Sequence, residues 1–303
     1  MTNMNPEDRP LLQKPLAPLD DKEGVQLPSG MPEVIDAHVH LFPEKLFQAV
    51  WDWFDEHGWP IRYRLPTPEI LNFLFGHGVG HVVGLQYAHK PGMADDLNSL
   101  MTGWMAEFPR LVGLATCFPG ETDAPGILQR AFNDGLRGVK LHIHVQGFNM
   151  NAPELGAIYR TCIEHGRPLL MHAGREPKSP AYRHDPYQLC SADRVEKILQ
   201  EFPDLRLCVP HMGMDECDIY ARLIERYDNL WLDTTMALSN YFTEATVPDI
   251  RELRLDRIMY GSDFPNIPYA WDRELKCIQN IGLKTADLAR VMGGNARQFY
   301  RID

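Results

Sequence analysis

The stretch Val34-Ile35-Asp36-Ala37-His38-Val39-His40-Leu41-Phe42 has the pattern of a buried β-strand. Successive side chains on a strand point to opposite faces, so His38 and His40 project to one side together with Asp36. Neutral imidazole nitrogens are good ligands for zinc and related divalent ions. The pair therefore predicts a metal site. Two histidines that merely cap a strand are the alternative, so the rest of the chain must supply further ligands.

Strand-like segments recur along the chain, and each is followed by a segment with helical spacing. The predicted further strands are 81–87, 111–118, 136–144, 168–172, 205–211, 230–235 and 257–263. The predicted helices that alternate with them are 93–108, 125–133, 153–164, 192–202, 217–227, 247–253 and 270–281, with a last helix over 284–300 that Gly293-Gly294 interrupts. Alternating strands and helices form parallel sheets, and eight such units favour a closed barrel. We predict an α/β fold, a (β/α)8 TIM barrel, over residues 34–303.

Two additions flank this repeat. Residues 1–33 contain six prolines, which break helices and predict an extended N-terminal arm. The arm either wraps its own barrel, contacts a neighbouring subunit in a homo-oligomer, or stays a loose tail. Helical spacing over 44–56 and 68–75 predicts a small helical insertion after the first strand.

Composition narrows the class of partner. The net charge of −11 argues against nucleic acid and anionic membrane, which need a basic surface, and leaves a small-molecule substrate. The six cysteines are scattered without C-x-x-C spacing and fall mostly in apolar segments. With no apolar run of signal-peptide or membrane-spanning length, they predict a reduced, cytoplasmic protein.

Polar residues stand where the predicted strands end. In a TIM barrel the chemistry is built at the carboxyl ends of the strands. The fourth strand carries Lys140-Leu141-His142-Ile143-His144, the fifth ends at His172, the sixth at His211 and the eighth at Asp263. One such histidine is more often a hydrogen-bonded core residue. Four placements at strand ends together predict an active site.

The set His38-x-His40, Lys140, His172, His211 and Asp263 resembles the amidohydrolase superfamily, specifically its amidohydrolase-related branch. The phrases VIDAHVHLF, GVKLHIHVQGF, PLLMHAG, VPHMG, YGSDFP and GGNARQF are similar to that branch and cover roughly residues 34–300. The branch contains lactone and amide hydrolases, and non-oxidative decarboxylases similar to aminocarboxymuconate semialdehyde decarboxylase and resorcylate decarboxylase. The resemblance is specific for the superfamily and weak for the substrate.

The resemblance implies roles for these residues. The implied ligands of one divalent ion, most simply zinc with manganese as the alternative, are His38, His40, His172 and Asp263. Such an ion lowers the pKa of a bound water towards ~7, and Asp263 would take the water's proton and pass it to the leaving group. His211 would polarise the substrate carbonyl or act as the acid-base partner across the site.

Lys140 has two interpretations under this resemblance. In hydrolase relatives the fourth-strand lysine is carboxylated and bridges two metals about 3.5 to 4 Å apart. In the amidohydrolase-related branch one metal is usual, and Lys140 would remain an ammonium that binds a substrate carboxylate; one ion is favoured over two. His142 and His144 share the predicted face of Lys140, and each either contacts the substrate or is a structural histidine. His142, like Lys140, is also a candidate second-metal ligand.

Two arginines are candidate substrate ligands. Arg175 and Arg183 lie in a long predicted loop at the catalytic end, where paired hydrogen bonds from a guanidinium would hold a carboxylate. Surface positions for both are the alternative.

Three functions compete. The first is a metal-dependent hydrolase of a small-molecule lactone, amide or ester that acts through a metal-activated water. The second is a carboxy-lyase, a non-oxidative decarboxylase of an aromatic or muconate-like acid, in which the metal orients the substrate carboxylate. The third, a barrel that has lost catalysis and only binds, is disfavoured because every expected metal-site residue is retained. His38 in place of an acidic residue, together with Lys140 and the GVKLH phrase, favours the hydrolase.

Overall fold

Eight short parallel β-strands organise this chain, of which the computed structural model describes residues 16–176, 182–242 and 247–303. The strands are β1 (Ile35–His40), β2 (His81–Leu85), β3 (Leu111–Gly113), β4 (Val139–His142), β5 (Leu169–His172), β6 (Leu207–Val209), β7 (Leu230–Asp233) and β8 (Ile258–Met259). They pair in sequence order as β1-β2-β3 and as β4-β5-β6-β7-β8.

Backbone contacts join these two sheets into one barrel. Ala115 bridges to Val139, so β3 meets β4, and Val39 bridges to Phe264, so β1 meets the segment that follows β8. The Asp263 N–H donates to the His38 carbonyl at 3.0 Å across the second junction. The strands therefore close, which confirms the predicted (β/α)8 TIM barrel.

Helices follow the strands around the outside. They are α1 (Glu44–His57), α2 (Thr67–Gly76), α3 (Ala94–Glu107), α4 (Ala124–Asn133), α5 (Ile143–Gln146), α6 (Pro153–Glu164), α7 (Pro186–Leu189), α8 (Ala192–Glu201), α9 (Cys217–Arg226), α10 (Arg273–Ile281), α11 (Thr285–Ala289) and α12 (Asn295–Tyr300). The first two form the predicted insertion after β1. No helix of the described ranges combines the length and apolarity that crossing a bilayer requires.

The fourth strand is shorter than predicted. It ends at His142, and the chain turns into α5, which Gly147 closes in the left-handed conformation at φ 66°. The two-residue alternation of a strand stops at such a turn, so the prediction that His144 shares the face of Lys140 is wrong.

Two predicted helices also differ. The helix predicted over 247–253 is only a short 3₁₀ turn, Ile250–Glu252. The last helix is not interrupted at its glycines, because a π-helical turn, Arg290–Gly294, joins α11 to α12. A Cβ added at Gly293 would lie 2.9 Å from the Glu33 carbonyl oxygen, so glycine lets this turn pack against the chain entering β1.

The amino-terminal end of the barrel is filled with apolar side chains. Leu170, Cys208 and Trp231 are register neighbours on adjacent strands and belong to one apolar cluster with Phe299 of α12. Arg206, at the entry to β6, donates to the Phe299 carbonyl at 2.7 Å, which fixes α12 at this end. Because apolar side chains fill this end, the opposite, carboxyl end is where the polar side chains lie.

The described part of the N-terminal arm lies against its own barrel. The Leu19 N–H donates to the Pro268 carbonyl at 3.0 Å, beyond β8. Asp21 accepts a hydrogen bond from the Ala270 N–H at 2.8 Å and pairs with Arg62 of the insertion and Arg273 of α10, at 3.0 and 3.1 Å. The arm thus ties the insertion to the segment that follows Asp263.

Candidate metal centre and active site

Three of the predicted metal ligands meet where β1 and β8 end. The Nε2 atoms of His38 and His40 lie 3.4 and 3.1 Å from the same oxygen, Oδ1 of Asp263. One ligand atom of each residue lies within 4.8 Å of the others, and all three residues are buried. We call His38, His40 and Asp263 the first cluster.

The local backbone explains why these three converge. The register of β1 against β2 shifts between Asp36 and Val39, and Asp36 does not join the cluster but accepts the Ser262 hydroxyl at 2.6 Å. Asp263 has a φ of 68°, a left-handed conformation that aspartate tolerates better than most residues. Its N–H donates to the His38 carbonyl. These contacts hold the carboxylate beside the imidazoles. A residue other than glycine at positive φ is strained, and such strain is often retained at functional sites.

Asp233, which the sequence analysis did not single out, orients two of the histidines. Its Oδ2 lies 2.9 Å from Nδ1 of His38, and its Oδ1 accepts the backbone N–H of His211 at 3.0 Å. A carboxylate on one ring nitrogen fixes the tautomer and leaves the other nitrogen as a ligand. The only sequence signal was an acidic residue at the carboxyl end of a predicted strand.

His211 stands between two groups of side chains. Its Nδ1 lies 2.9 Å from the Thr235 carbonyl oxygen, to which it donates, so Nε2 is left for the site. Its ring centroid is 5.5 Å from that of His38 and 4.6 Å from that of His172. This position suits the acid-base role that the resemblance implies.

His172, the fourth predicted ligand of the ion, contacts Glu176 and His144 in this structure, and its place among the ligands of that ion stays a prediction. Its Nε2 is 3.8 Å from Oε1 of Glu176, whose Oε1 also contacts Nδ1 of His144. One ligand atom each of His144, His172 and Glu176 lie within 4.8 Å of one another. We call these residues the second cluster. Glu176 was missed because it stands in a loop and belongs to no recognisable motif.

The first cluster has the donor set of a divalent metal site. Burial, followed by the charge of Lys140, holds the pKa of His38 well below its usual range, and burial likewise lowers the pKa of His40. Burial alone would raise the pKa of Asp263, but the hydrogen bond from His40 and neighbouring charges lower it overall. Two neutral imidazoles and an ionised carboxylate are ligands that zinc and manganese-class ions accept.

Lys140 is a buried cation at the edge of the first cluster. It is 0% exposed, and its Nζ lies 3.5 Å from Nε2 of His38. Burial lowers its pKa to about 8, although Asp233 and Asp263 oppose that shift. No carboxylate of the described residues forms a direct ion pair with it.

The remaining predicted site residues are distributed as follows. His142 stacks on His172 with ring centroids 4.1 Å apart. Arg175 donates to the Cys190 carbonyl at 2.7 Å, pairs with Glu216 at 3.4 Å and covers the Tyr187 ring, so its guanidinium holds the chain between β5 and α8. Arg183 is exposed. Substrate binding by either arginine stays a prediction.

Solved structures with this fold include several decarboxylases. A 5-carboxyvanillate decarboxylase from Sphingomonas paucimobilis is 19% identical with a TM-score of 0.65, covering 89% of this chain and 99% of its own. A 5-carboxyvanillate decarboxylase from Novosphingobium aromaticivorans, complexed with manganese and 4-hydroxy-3-methoxy-5-nitrobenzoic acid, is 14% identical with a TM-score of 0.68, covering 93% and 100%. A 2,6-dihydroxybenzoate decarboxylase from Rhizobium is 19% identical with a TM-score of 0.64, covering 90% and 100%. At these identities the likeness establishes the fold.

The family is established by the sequence itself. The profile of the amidohydrolase family matches residues 35–302, from the first residue of β1 to the penultimate residue of the chain. The match includes both clusters, Lys140 and His211. With its closed (β/α)8 barrel and its His-His-Asp group at the carboxyl ends of the strands, this chain belongs to the amidohydrolase family.

Proposed function

We propose that this protein is a metal-dependent carboxy-lyase that removes carbon dioxide from an aromatic or muconate-like carboxylic acid. The structurally similar 5-carboxyvanillate and 2,6-dihydroxybenzoate decarboxylases support this alternative over the hydrolase that the sequence favoured. The proposal assigns one divalent ion, zinc or manganese, to the first cluster. The partner is then a small organic acid.

The observation that carries the proposal is the buried ammonium of Lys140. A charge removed from water without a counter-ion destabilises a fold by several kcal/mol, on the order of the penalty for a buried unpaired ion. Lys140 has no direct carboxylate partner among the described side chains, and it faces His38. A substrate carboxylate placed here would supply the missing negative charge. A neutral lactone or ester would leave the ammonium unpaired.

The chain's own residues account for the steps of the reaction. A divalent ion at His38, His40 and Asp263 would supply positive charge that orients and polarises the substrate's oxygen atoms. Lys140 binds the carboxylate by a charge-assisted hydrogen bond. When the bond to the carboxyl carbon breaks, carbon dioxide leaves without the bonding electrons, and the substrate carbon takes a proton in its place. In its imidazolium form, His211 would deliver that proton from Nε2, because Nδ1–H donates to the Thr235 carbonyl and leaves Nε2–H facing the site. Water is not consumed.

The test follows the oxygen and the carboxyl carbon. The purified metal-loaded protein is incubated in oxygen-18 water with carboxyl-labelled dihydroxybenzoates and 5-carboxyvanillate, and in parallel with lactones and aryl esters. We expect labelled carbon dioxide and an organic product without oxygen-18. Incorporation of oxygen-18 into a product from a lactone or ester, without carbon dioxide release from any acid, would overturn the proposal in favour of the hydrolase. Binding of the acids with no turnover would overturn it in favour of a binding protein.

A further inference from the structure

Glu274, the second residue of α10, is a buried acid that the function proposed above does not use. Its carboxyl group accepts the Met236 N–H at 2.7 Å and the Leu238 N–H at 3.4 Å. We propose that Glu274 is a positioning residue for His211, which it orients through the single peptide group between Thr235 and Met236. Only the part of this inference that concerns proton delivery rests on the proposed function.

One peptide group connects the acid to the histidine. Its carbonyl oxygen, from Thr235, accepts the hydrogen bond of His211 Nδ1 at 2.9 Å. Its N–H, from Met236, donates to Oε2 of Glu274 at 2.7 Å. The carbonyl and the N–H of a trans peptide lie in one plane and point in opposite directions. The acid that holds the N–H therefore also sets the direction of the carbonyl.

The turn that contains this peptide group is held in a conformation that its sequence does not favour. The Ala237 N–H donates to the Thr234 carbonyl at 2.7 Å, and Met236 has a φ of 61°. A positive φ at the third residue is typical of a type II turn, where glycine or asparagine is preferred and other residues are strained. In a type I turn, the commoner form, the central peptide group is flipped, and the Thr235 carbonyl would point away from His211. Glu274 opposes this flip, because the Met236 N–H would lose its acceptor.

The contacts of Glu274 explain why an acid is kept at this depth. Its side chain is 1% exposed, and burying an acid destabilises a fold unless its polar atoms are bonded. Burial raises the pKa of Glu274 well above its usual range, and hydrogen bonds from the Thr234 hydroxyl and from the Met236 and Leu238 N–H groups oppose that shift. In either protonation state one oxygen is left to accept the Met236 N–H. Hydrogen bonds in a chain polarise one another, so this contact also makes the carbonyl at the other end of the peptide group a better acceptor.

The start of α10 is fixed on both sides of this acid. Arg273 donates to the Ser239 carbonyl at 2.7 Å, just beyond the turn, and pairs with Asp21 of the arm at 3.1 Å. Asp272 is equally buried, but it accepts the Gly24 N–H of the arm at 2.9 Å. Two neighbouring buried acids thus serve different partners, one the arm and the other the turn that faces the histidine.

Nitrogen-15 NMR of the histidine-labelled, zinc-loaded protein tests the inference by observing the hydrogen bond itself. The Nδ1–H signal of His211 is assigned as the one that His211→Gln removes, and in the wild type it should lie downfield and exchange slowly with water. Glu274→Met has no acceptor for the Met236 N–H. It should move the signal upfield and speed its exchange about 10-fold, the effect of losing one hydrogen bond. Glu274→Gln keeps one acceptor and should retain the wild-type signal.

Asp272→Asn is the matched control and should leave the signal unchanged. A signal that Glu274→Met leaves in place, or that Glu274→Gln loses equally, would overturn the inference. So would the absence of an Nδ1–H signal from the wild type, or an equal loss in Asp272→Asn, which would indicate general loosening of α10. Should Glu274→Met fail to fold, Glu274→Asp takes its place with the same expected loss, because its carboxyl group is one carbon shorter.

Turnover gives a second readout that a purely structural role would not move. The described contacts of Glu274 are with the turn, so Glu274→Met should lower kcat for an acid substrate about 10-fold and leave KM unchanged. A raised KM at constant kcat would overturn the inference, because the turn would then serve substrate binding. The NMR signal is recorded without substrate, so its result stands even if no acid releases carbon dioxide.

Discussion

The first and second clusters use the same ligand types on different supports. His38 and His40 stand on β1, and Asp263 follows β8 with its N–H bonded to the β1 backbone. In the second cluster, His144 lies in the short turn α5, and Glu176 lies in the loop that follows β5. One cluster is therefore fixed by the barrel itself, while the other depends on a turn and a loop.

This difference bears on how firmly each cluster is positioned. Strand ends in a closed barrel are held by backbone hydrogen bonds on both sides, whereas loops have fewer such bonds and open more easily. We therefore expect local unfolding to disturb the second cluster before the first. The chemistry that needs a fixed geometry is best placed on the more rigid support.

The largest expected effect comes from removing a ligand of the first cluster. Asp263→Ala should abolish the tightly bound ion and lower turnover by about 10³-fold or more, because metal electrostatics contribute several kcal/mol to catalysis. Metal analysis and carbon dioxide release measure both. His165→Ala, on the exposed end of α6, is the control and should change neither. Turnover that survives in Asp263→Ala without bound metal would show that the first cluster does not hold a catalytic metal.

A smaller effect is expected at Lys140. Lys140→Met keeps the side-chain length but deletes the charge, and should raise the KM for an acid substrate about 100-fold, because a charged hydrogen bond contributes up to about 3 kcal/mol. Stability should stay equal or increase, since the unpaired buried charge is gone. Lys276→Met is the control. It removes a lysine of α10 that pairs with Asp272, the residue before that helix. An unchanged KM with a large loss of stability would make Lys140 a structural residue.

Substitution of Asp233, the carboxylate that orients His38, should weaken metal binding less than substitution of a ligand does. Asp233→Asn keeps the shape but weakens the contact with Nδ1 of His38, so metal affinity should fall by about 10-fold, the lower part of the range for such partners. Competition with a fluorescent chelator measures the affinity. An unchanged metal affinity in Asp233→Asn would contradict an orienting role for Asp233.

The smallest effect is expected in the arm. Burial alone would raise the pKa of Asp21, but the Ala270 N–H and Arg273 lower it overall. Asp21→Asn should therefore lower the free energy of unfolding by about 1–2 kcal/mol at neutral pH. A lowered folded pKa contributes stability that is fully present above the unfolded value, so the difference should begin to shrink as the pH falls below about 4 and should vanish only below the folded pKa.

Denaturant unfolding at several pH values checks this prediction. Asp20→Asn, at the exposed neighbouring position, is the matched control. A difference between wild type and Asp21→Asn that persists at acid pH would exclude the ion-pair explanation.

The fold and the first cluster could be predicted because their signals are local. Alternating strands and helices specify the barrel, and the H-x-H spacing places His38 and His40 on one side of a strand. Asp263 could be added because strand ends in a barrel meet at one mouth. These inferences need only the period of each element and the rule for where parallel strands end.

The second cluster could not be predicted because its signals are tertiary. The sequence His142-Ile143-His144 continues the two-residue alternation, and nothing in it shows that the chain turns into α5 after His142. Glu176 is one of many acidic residues, and only the loop's path brings it to His144 and His172.

Anomalous diffraction from crystals of the manganese-loaded protein tests the central claim most directly. We predict a strong peak within about 2.0–2.3 Å of the His38 and His40 nitrogens and an Asp263 oxygen, the range of ligand distances at such sites. A fully loaded protein whose peaks all lie away from these three residues would contradict the account.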